Sequence, residues 1–217
     1  MSAVGDIELV QRAVFAAAAA LEQAKDELCR LDAAAGDGDE GLAMAAVARG
    51  VQNQLAARSP SSISEIVQLA AGELGAVGGA MGALSYVIVT AVGEHLREDG
   101  AFTATRLGEL LAAAEEEVAS FGGAHRGDKS ILDAIGPARE AADEAARNGA
   151  SAGDALAAAA AAAHRGAEAT AEMEARIGRA SRLGERSRGT VDAGAQTFAL
   201  VLSALADTYI GSEREHE

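Results

Sequence analysis

Aromatic side chains are scarce in this sequence: 217 residues include no tryptophan, two tyrosines and four phenylalanines. With apolar content that is largely alanine, a β-sandwich or barrel is disfavoured and close helix packing is favoured. Proline is almost as rare, at two residues, so little interrupts long helices. A single cysteine, Cys29, excludes an internal disulfide; it sits in an amphipathic helical pattern and reads as a buried, inert thiol in a reducing, cytoplasmic setting. Positive charge is in deficit, 18 Lys and Arg against 33 Asp and Glu for a net −15, and no Lys/Arg cluster supplies the patch that a nucleic acid needs. If so acidic a chain binds a polyanion such as a nucleotide, a cation must mediate. The opening MSAVGDIELVQ lacks the basic stretch and apolar core of a secretory signal. From Leu74 to Gly93 the chain is uncharged over a length that could cross a bilayer, but Gly75, Gly78, Gly79 and Gly82 break it into a loop and a short buried helix, so no membrane span is expected.

What is abundant is alanine and helical periodicity. A chain of this length buries roughly 70% of the surface its unfolded form exposes, so one all-α domain over residues 1–217 is expected. Apolar spacing and breakers predict eight helical segments. The first runs from Asp6 to Leu31 with Ile7, Val10, Val14, Leu21, Leu28 and Leu31 on one stripe, and the second from Leu42 to Ala57. The third follows SPSSISE, where Ser62 and Glu65 have capping-box spacing, and ends near Leu74. The fourth covers Ala83 to Arg97, and the fifth Thr105 to Phe121, with Leu107, Leu110, Leu111, Ala114, Val118 and Phe121 on its apolar face. The sixth covers Ile131 to Arg147 and the seventh Ser151 to Ile177, whose run Ala157 to Ala163 reads as a close-packing strip. The eighth carries Phe198, Val201, Leu202, Leu205 and Tyr209, and residues 211–217 read as a flexible tail.

Chemistry-bearing residues concentrate in the joints. Asp32, Asp37 and Asp39 crowd a Gly-flanked turn. Two carboxylates ~5 Å apart at an effective dielectric of about 20 repel by about 3 kcal/mol, which calls for a counter-cation or a shared proton. Hard oxygen donors without His or Cys suit Mg²⁺, Mn²⁺ or Ca²⁺; the spacing excludes an EF-hand, and Mg²⁺ completed by substrate phosphates fits best. The same spacing also suits a solvated turn in which Asp39 caps the next helix. Gly78, Gly79 and Gly82 around Ala80 and Met81 can form a backbone nest for phosphate oxygens or simply a tight packing joint; no GK[ST] follows, so this is not a P-loop. Arg179, Arg182, Arg186 and Arg188 form the densest positive stretch, able to neutralise phosphate or to lie in a solvated loop. Asp128 and Lys129 read as a helix-start acid beside an ion-pair partner. The four histidines, His95, His125, His164 and His216, are scattered, and nothing here activates an acceptor hydroxyl.

Taken in order, LDAAAGDGDEG, GGAMG, GDKSILDAIGPA and GRASRLGERSRGTVDAGA resemble the L domain or subunit of dihydroxyacetone kinases, from the first helix to near Ile210. The resemblance implies a barrel-like antiparallel bundle of eight amphipathic helices with a nucleotide and Mg²⁺ site at one end. By position it makes Asp32, Asp37 and Asp39 ligands of two Mg²⁺ ions bound to ADP or ATP. Gly78, Gly79, Ala80 and Met81 would line the phosphates, Arg179 would contact them as the catalytic residue, and Glu40, Gly41, Gly122, Ile131, Asp192 and Gly194 would complete the nucleotide site. In that family a histidine of a separate K domain holds the substrate carbonyl, which implies a K-type partner subunit, with ATP as donor or with bound ADP recharged by a phosphotransfer protein; a homodimer is left open. The family usually has His at position 40, Asn at 43, Ser at 81 and Pro at 193, where this chain has Glu40, Ala43, Met81 and Ala193. Those departures bear on affinity and on the keto-sugar used, and they leave open a nucleotide-sensing module without turnover.

Overall fold

The computed structural model describes residues 3–96 and 102–215, with side chains from residue 7 onward. Among the described residues there are nine α-helices, two 3₁₀ segments and no strand. The helices are α1 (Ala3–Gln23), α2 (Lys25–Ala33), α3 (Glu40–Ala57), α4 (Ile63–Ala76), α5 (Gly79–His95), α6 (Ala104–Gly122), α7 (Leu132–Arg147), α8 (Ala152–Ala169) and α9 (Ala193–Arg214). Consecutive helices pack on one another from α3 to α9, α1 and α2 both lie on α3, and α9 returns against α1, so the packing order closes on itself.

The first expected helix is bent into α1 and α2 at Ala24, where backbone bonds to Ala20 and Leu28 carry the chain round the corner. With that pair taken as one, the eight expected segments are present. Several starts follow from capping. Ser62, Thr103, Ser151 and Asp192 each accept an N–H three residues on, at 3.1, 3.2, 3.0 and 2.9 Å. The capping box at α4 is displaced by one residue, because Glu65 reaches back to the N–H of Ser61 at 2.9 Å.

Two cores of different texture result. Around α2, α3 and α4 the interior is Leu28, Met44, Val47, Val51, Leu55 and Ile66. Around α7, α8 and α9 it is mostly alanine, with Ala134, Ala138, Ala155, Ala159, Ala163, Ala195 and Ala199 fully enclosed. The alanine strip thus packs as expected, and it lets backbones approach. A Cβ at Gly166 of α8 would overlap the carbonyl oxygen of Asp133 in α7, and Pro137 has no N–H to offer that carbonyl.

Some expectations are corrected. The seventh segment stops at Ala169 rather than Ile177, because Thr170 turns the chain with its Oγ1 on the carbonyl of Ala167 at 2.5 Å. α9 continues through Arg214, into what read as tail. Phe121 is 60% exposed, just where α6 runs out into Gly122 and Gly123, and Cys29 is half-buried rather than enclosed. α4 ends at Ala76 and α5 begins at Gly79, so the uncharged stretch is broken; among the described residues no helix is long and apolar enough to cross a membrane. The expected end of the fourth segment at Arg97, and His216 with the last tail residues, lie outside the described residues.

Candidate functional site

The turn between α2 and α3 folds its carboxylates together. Asp32, in the last turn of α2, accepts the N–H of Gly38 at 2.8 Å and of Asp39 at 3.1 Å on its Oδ2, which curls the following turn back over it. Gly38 makes this curl at φ +77°, a region in which a side chain would strain the backbone. As a result Asp32, Asp37 and Asp39 each offer a carboxylate oxygen, all within 4.8 Å of one another, and Asp37 and Asp39 face solvent. Asp39 stands at the N-cap of α3 but its side chain makes no cap bond, so the capping reading of the turn does not hold.

Arg179 reaches this turn from the far side of the sequence. Its guanidinium donates to Asp37 Oδ2 and lies 3.7 Å from Asp32 Oδ1. That bond holds the Asp37 carboxyl below the usual carboxylate range. Asp39 is pushed above it, mainly by its hydrogen-bonded neighbour Asp37. The cluster is therefore an acidic surface with one cation at its edge.

Arg179 belongs to an excursion between α8 and α9 that leaves at Thr170 and returns at Asp192. A 3₁₀ turn, Thr170–Glu172, opens it and a second 3₁₀ segment, Arg179–Ser187, forms its outer part. Its neck is tied by Gly189 N–H to the Ala171 carbonyl at 2.7 Å and by Asp192 N–H to Thr170 Oγ1 at 2.8 Å. Ser187 Oγ accepts the Ala175 N–H at 2.8 Å, and Arg176 N–H bonds the Asp128 carbonyl at 3.0 Å, joining the excursion to the α6–α7 loop.

A second group of expected residues meets at the start of α9. A Cβ placed on Gly194 would come within 2.9 Å of Met81 Sδ, 3.3 Å of Asp192 Oδ2 and 3.8 Å of Ile131 Cβ. Met81 and Ile131 also share an apolar cluster with Leu84, Ile135 and Phe198. Burial raises the Asp192 carboxyl to about 6, against the Ala195 N–H bond that favours its charged form. Gly78, Gly79 and Ala80 are exposed at the first turn of α5, whose N–H groups have no intrahelical partner.

Other expected residues stand apart. Gly41 is covered by α2, where a Cβ would overlap the Lys25 carbonyl. Gly122 is exposed at the end of α6, with Leu84 Cδ2 at the edge of contact. Glu40 turns away from the aspartates into the α3–α9 interface and accepts a bond from Thr197 Oγ1 at 2.7 Å. Burial pushes its carboxyl up to about 8, favouring the protonated form.

Sequence reasoning missed Thr197, and it missed what Lys129 and Asp133 do. Asp133 is buried and accepts the N–H of Gly127 at 2.5 Å and of Ser130 at 2.8 Å, wrapping the α6–α7 loop around itself. Lys129 is 5% exposed and donates to the carbonyls of Thr170 at 2.6 Å and Thr190 at 2.5 Å. These partners lie 41 and 61 residues away, beyond any local pattern.

Comparison with known proteins identifies the family. The DAK2 domain family model matches residues 34–207. The chain is 39% identical over 208 residues to the D-erythrulose kinase of Mycolicibacterium smegmatis, covering 92% of this chain but 35% of that protein. It is 33% identical over 180 residues to the ADP-binding subunit DhaL of the PEP-dependent dihydroxyacetone kinase of Escherichia coli, covering 82% of this chain and 86% of that subunit. The crystal structure of the dihydroxyacetone kinase from C. freundii in complex with AMP-PNP and Mg²⁺ superposes with a TM-score of 0.70 at 32% identity, over 93% of this chain and 34% of that one. The chain thus spans about a third of the single-chain kinases and most of the stand-alone subunit. On these grounds the chain belongs to the DAK2 domain family as a DhaL-like domain.

Proposed function

We propose that this chain binds ADP or ATP with Mg²⁺ and presents the phosphoryl group to a keto-sugar held by a separate K-type subunit or domain. One observation carries the reading: three carboxylate oxygens within 4.8 Å of one another, with the guanidinium of Arg179 against two of them. Hard oxygen donors on a turn open to solvent suit Mg²⁺ that keeps part of its shell for phosphate oxygens. Asp32, Asp37 and Asp39 would hold the ions, two in number. Bound there, Mg²⁺ supplies charge neutralisation across the phosphates.

The rest is positioning by this chain's own groups. Arg179 would turn its donors from Asp37 to a phosphate oxygen, and the unpaired N–H groups of the first turn of α5, at Gly78, Gly79 and Ala80, would donate to the negative tail. Met81, Ile131 and Gly194 would give the nucleoside an apolar wall, with Asp192 and Gly122 at its margins. No side chain here is arranged to take a proton from the acceptor, so that task belongs to the partner. The donor is ATP, or ADP recharged by a phosphotransfer protein.

The test has two parts. Saturating Mg²⁺ and ADP should raise the melting temperature: ligand at a hundredfold over Kd stabilises by ~2.7 kcal/mol, or roughly 5–10 °C for a chain this long. With a matching K subunit, ATP-dependent phosphorylation of dihydroxyacetone or a tetrulose should follow. No thermal response to Mg²⁺ with either nucleotide overturns the reading. A second reading, nucleotide sensing without turnover, is favoured by Met81 facing Gly194 and by Glu40 committed to Thr197; it predicts the thermal response with no transfer to any such acceptor.

A further inference from the structure

We infer that Lys129 is a positioning residue: its buried ammonium clamps the neck of the 171–191 excursion and so fixes Arg179 over the acidic turn and Asp192 at the start of α9. The inference deepens the nucleotide reading, since it says what holds two of that site's groups in place.

The geometry is specific to a clamp. Thr170 is the C-cap of α8, so its carbonyl lies at the negative end of that helix; its one backbone donor is the Met173 N–H at 3.1 Å, and α8 has no basic residue in its last turn. Thr190 lies two residues before the N-cap of α9. The ammonium of Lys129 bonds both carbonyls, one on each side of the neck. It arrives there from a backbone at φ +63°, the one positive φ on a non-glycine residue among those described, held by the Asp133 bonds on either side. Strain of this kind persists where surrounding structure over-determines it. Thr170 and Lys129 are both buried, so the Thr170 carbonyl would keep only the Met173 N–H if the ammonium left, with no water to replace it.

The rest of the neck is the Gly189–Ala171 backbone bond, the Asp192 N–H on Thr170 Oγ1 and the Arg188 guanidinium on the Glu172 carbonyl, and the excursion carries Arg176, Arg179, Arg182, Arg186 and Arg188. An arginine-specific protease therefore reads the opening of the excursion directly, without requiring a Lys at position 129. K129M keeps the length of the side chain and removes the charge; K129R keeps the charge. The expected result is cleavage within 176–188 about tenfold or more faster in K129M, within about threefold of the unaltered protein in K129R, and unchanged helical circular dichroism in both. In the same variant the Kd for Mg²⁺ with ADP should weaken by about tenfold or more, as the excursion's ordering must now accompany binding. Cleavage of K129M at the original rate overturns the inference. Loss of the helical signal in K129M also overturns it, because the ammonium would then hold the bundle rather than the excursion. The cleavage assay contains no nucleotide, so it decides the clamp even where the protein proves not to bind ADP.

Discussion

Two places in this molecule concentrate charge, and they treat it in opposite ways. At the α2–α3 turn three carboxylates crowd within 4.8 Å, Asp37 and Asp39 facing water, with a single guanidinium at the edge. At the neck between α8 and α9 one ammonium is buried, with two carbonyls as acceptors and the 127–133 loop wrapped to deliver it. The turn tolerates mutual repulsion that a bound cation would relieve. The neck is closed on itself, its ammonium spent on two backbone carbonyls and buried from solvent. An exposed, incompletely neutralised cluster is therefore the place to expect a ligand, and a buried, saturated one is the place to expect structure.

The comparison breaks first at Asp133. Asp133→Ala leaves the N–H groups of Gly127 and Ser130 without their acceptor in a buried loop, each at about 1–3 kcal/mol. A loss of about 4 kcal/mol is expected, a fall in melting temperature of roughly 8–16 °C, read by calorimetry without ligand. A loss below about 1 kcal/mol would mean that water reaches this loop and that the neck is not the closed structure described.

Asp37→Asn tests the other side. The ligand-free fold should melt at nearly the same temperature, because an exposed ion pair is worth little and repulsion with Asp39 is relieved at the same time. The thermal response to Mg²⁺ and ADP should almost disappear, a loss of about 2.7 kcal/mol at ligand concentrations that saturate the unaltered protein. A variant with an intact response would take Asp37 out of the metal site. A variant that unfolds would make the turn a structural element like the neck.

How each region was legible in the sequence follows from the range of its interactions. Asp32, Asp37 and Asp39 come together through bonds spanning six and seven residues, so spacing and a glycine were enough to read them. The alanine strip of α8 was legible for the same reason, because helix propensity and period act locally. The end of α8 was not, since helical composition continues past Ala169 and the turn at Thr170, begun by its bond to Ala167, is held by Asp192 and Lys129 from far along the chain. Phe121 falls on the apolar stripe of α6 and is still exposed, as the helix outruns its neighbour there. The resemblance puts Glu40 in the nucleotide site, and only the packing of α9 on the bundle shows its carboxyl bonded to Thr197. Periodicity found the helices; partners more than a hundred residues apart decided which charges stayed free.

The finest test concerns Asp192, which lies between the two regimes: a carboxylate near the buried ammonium of Lys129 that also borders the proposed nucleoside wall. Its carboxyl is raised from 3.8 to about 6 because burial outweighs both the Ala195 N–H bond and the attraction of Lys129. The folded protein therefore holds a proton that the unfolded chain has released, so this group's contribution to stability falls as pH rises from about 4 through about 6 and is lost in full above that. Asp192→Asn keeps an oxygen for the Ala195 N–H and removes the charge. Relative to the unaltered protein it should gain ~1–2 kcal/mol at pH 7, with the difference closing below about pH 4, as measured by urea unfolding across that range. If the unaltered protein instead gains on the variant as pH rises from 4 to 6, the ammonium of Lys129 outweighs burial and Asp192 belongs to the saturated neck. If the variant gains as expected, Asp192 is held charged at a cost to the fold, which is the mark of the ligand-facing side of the molecule.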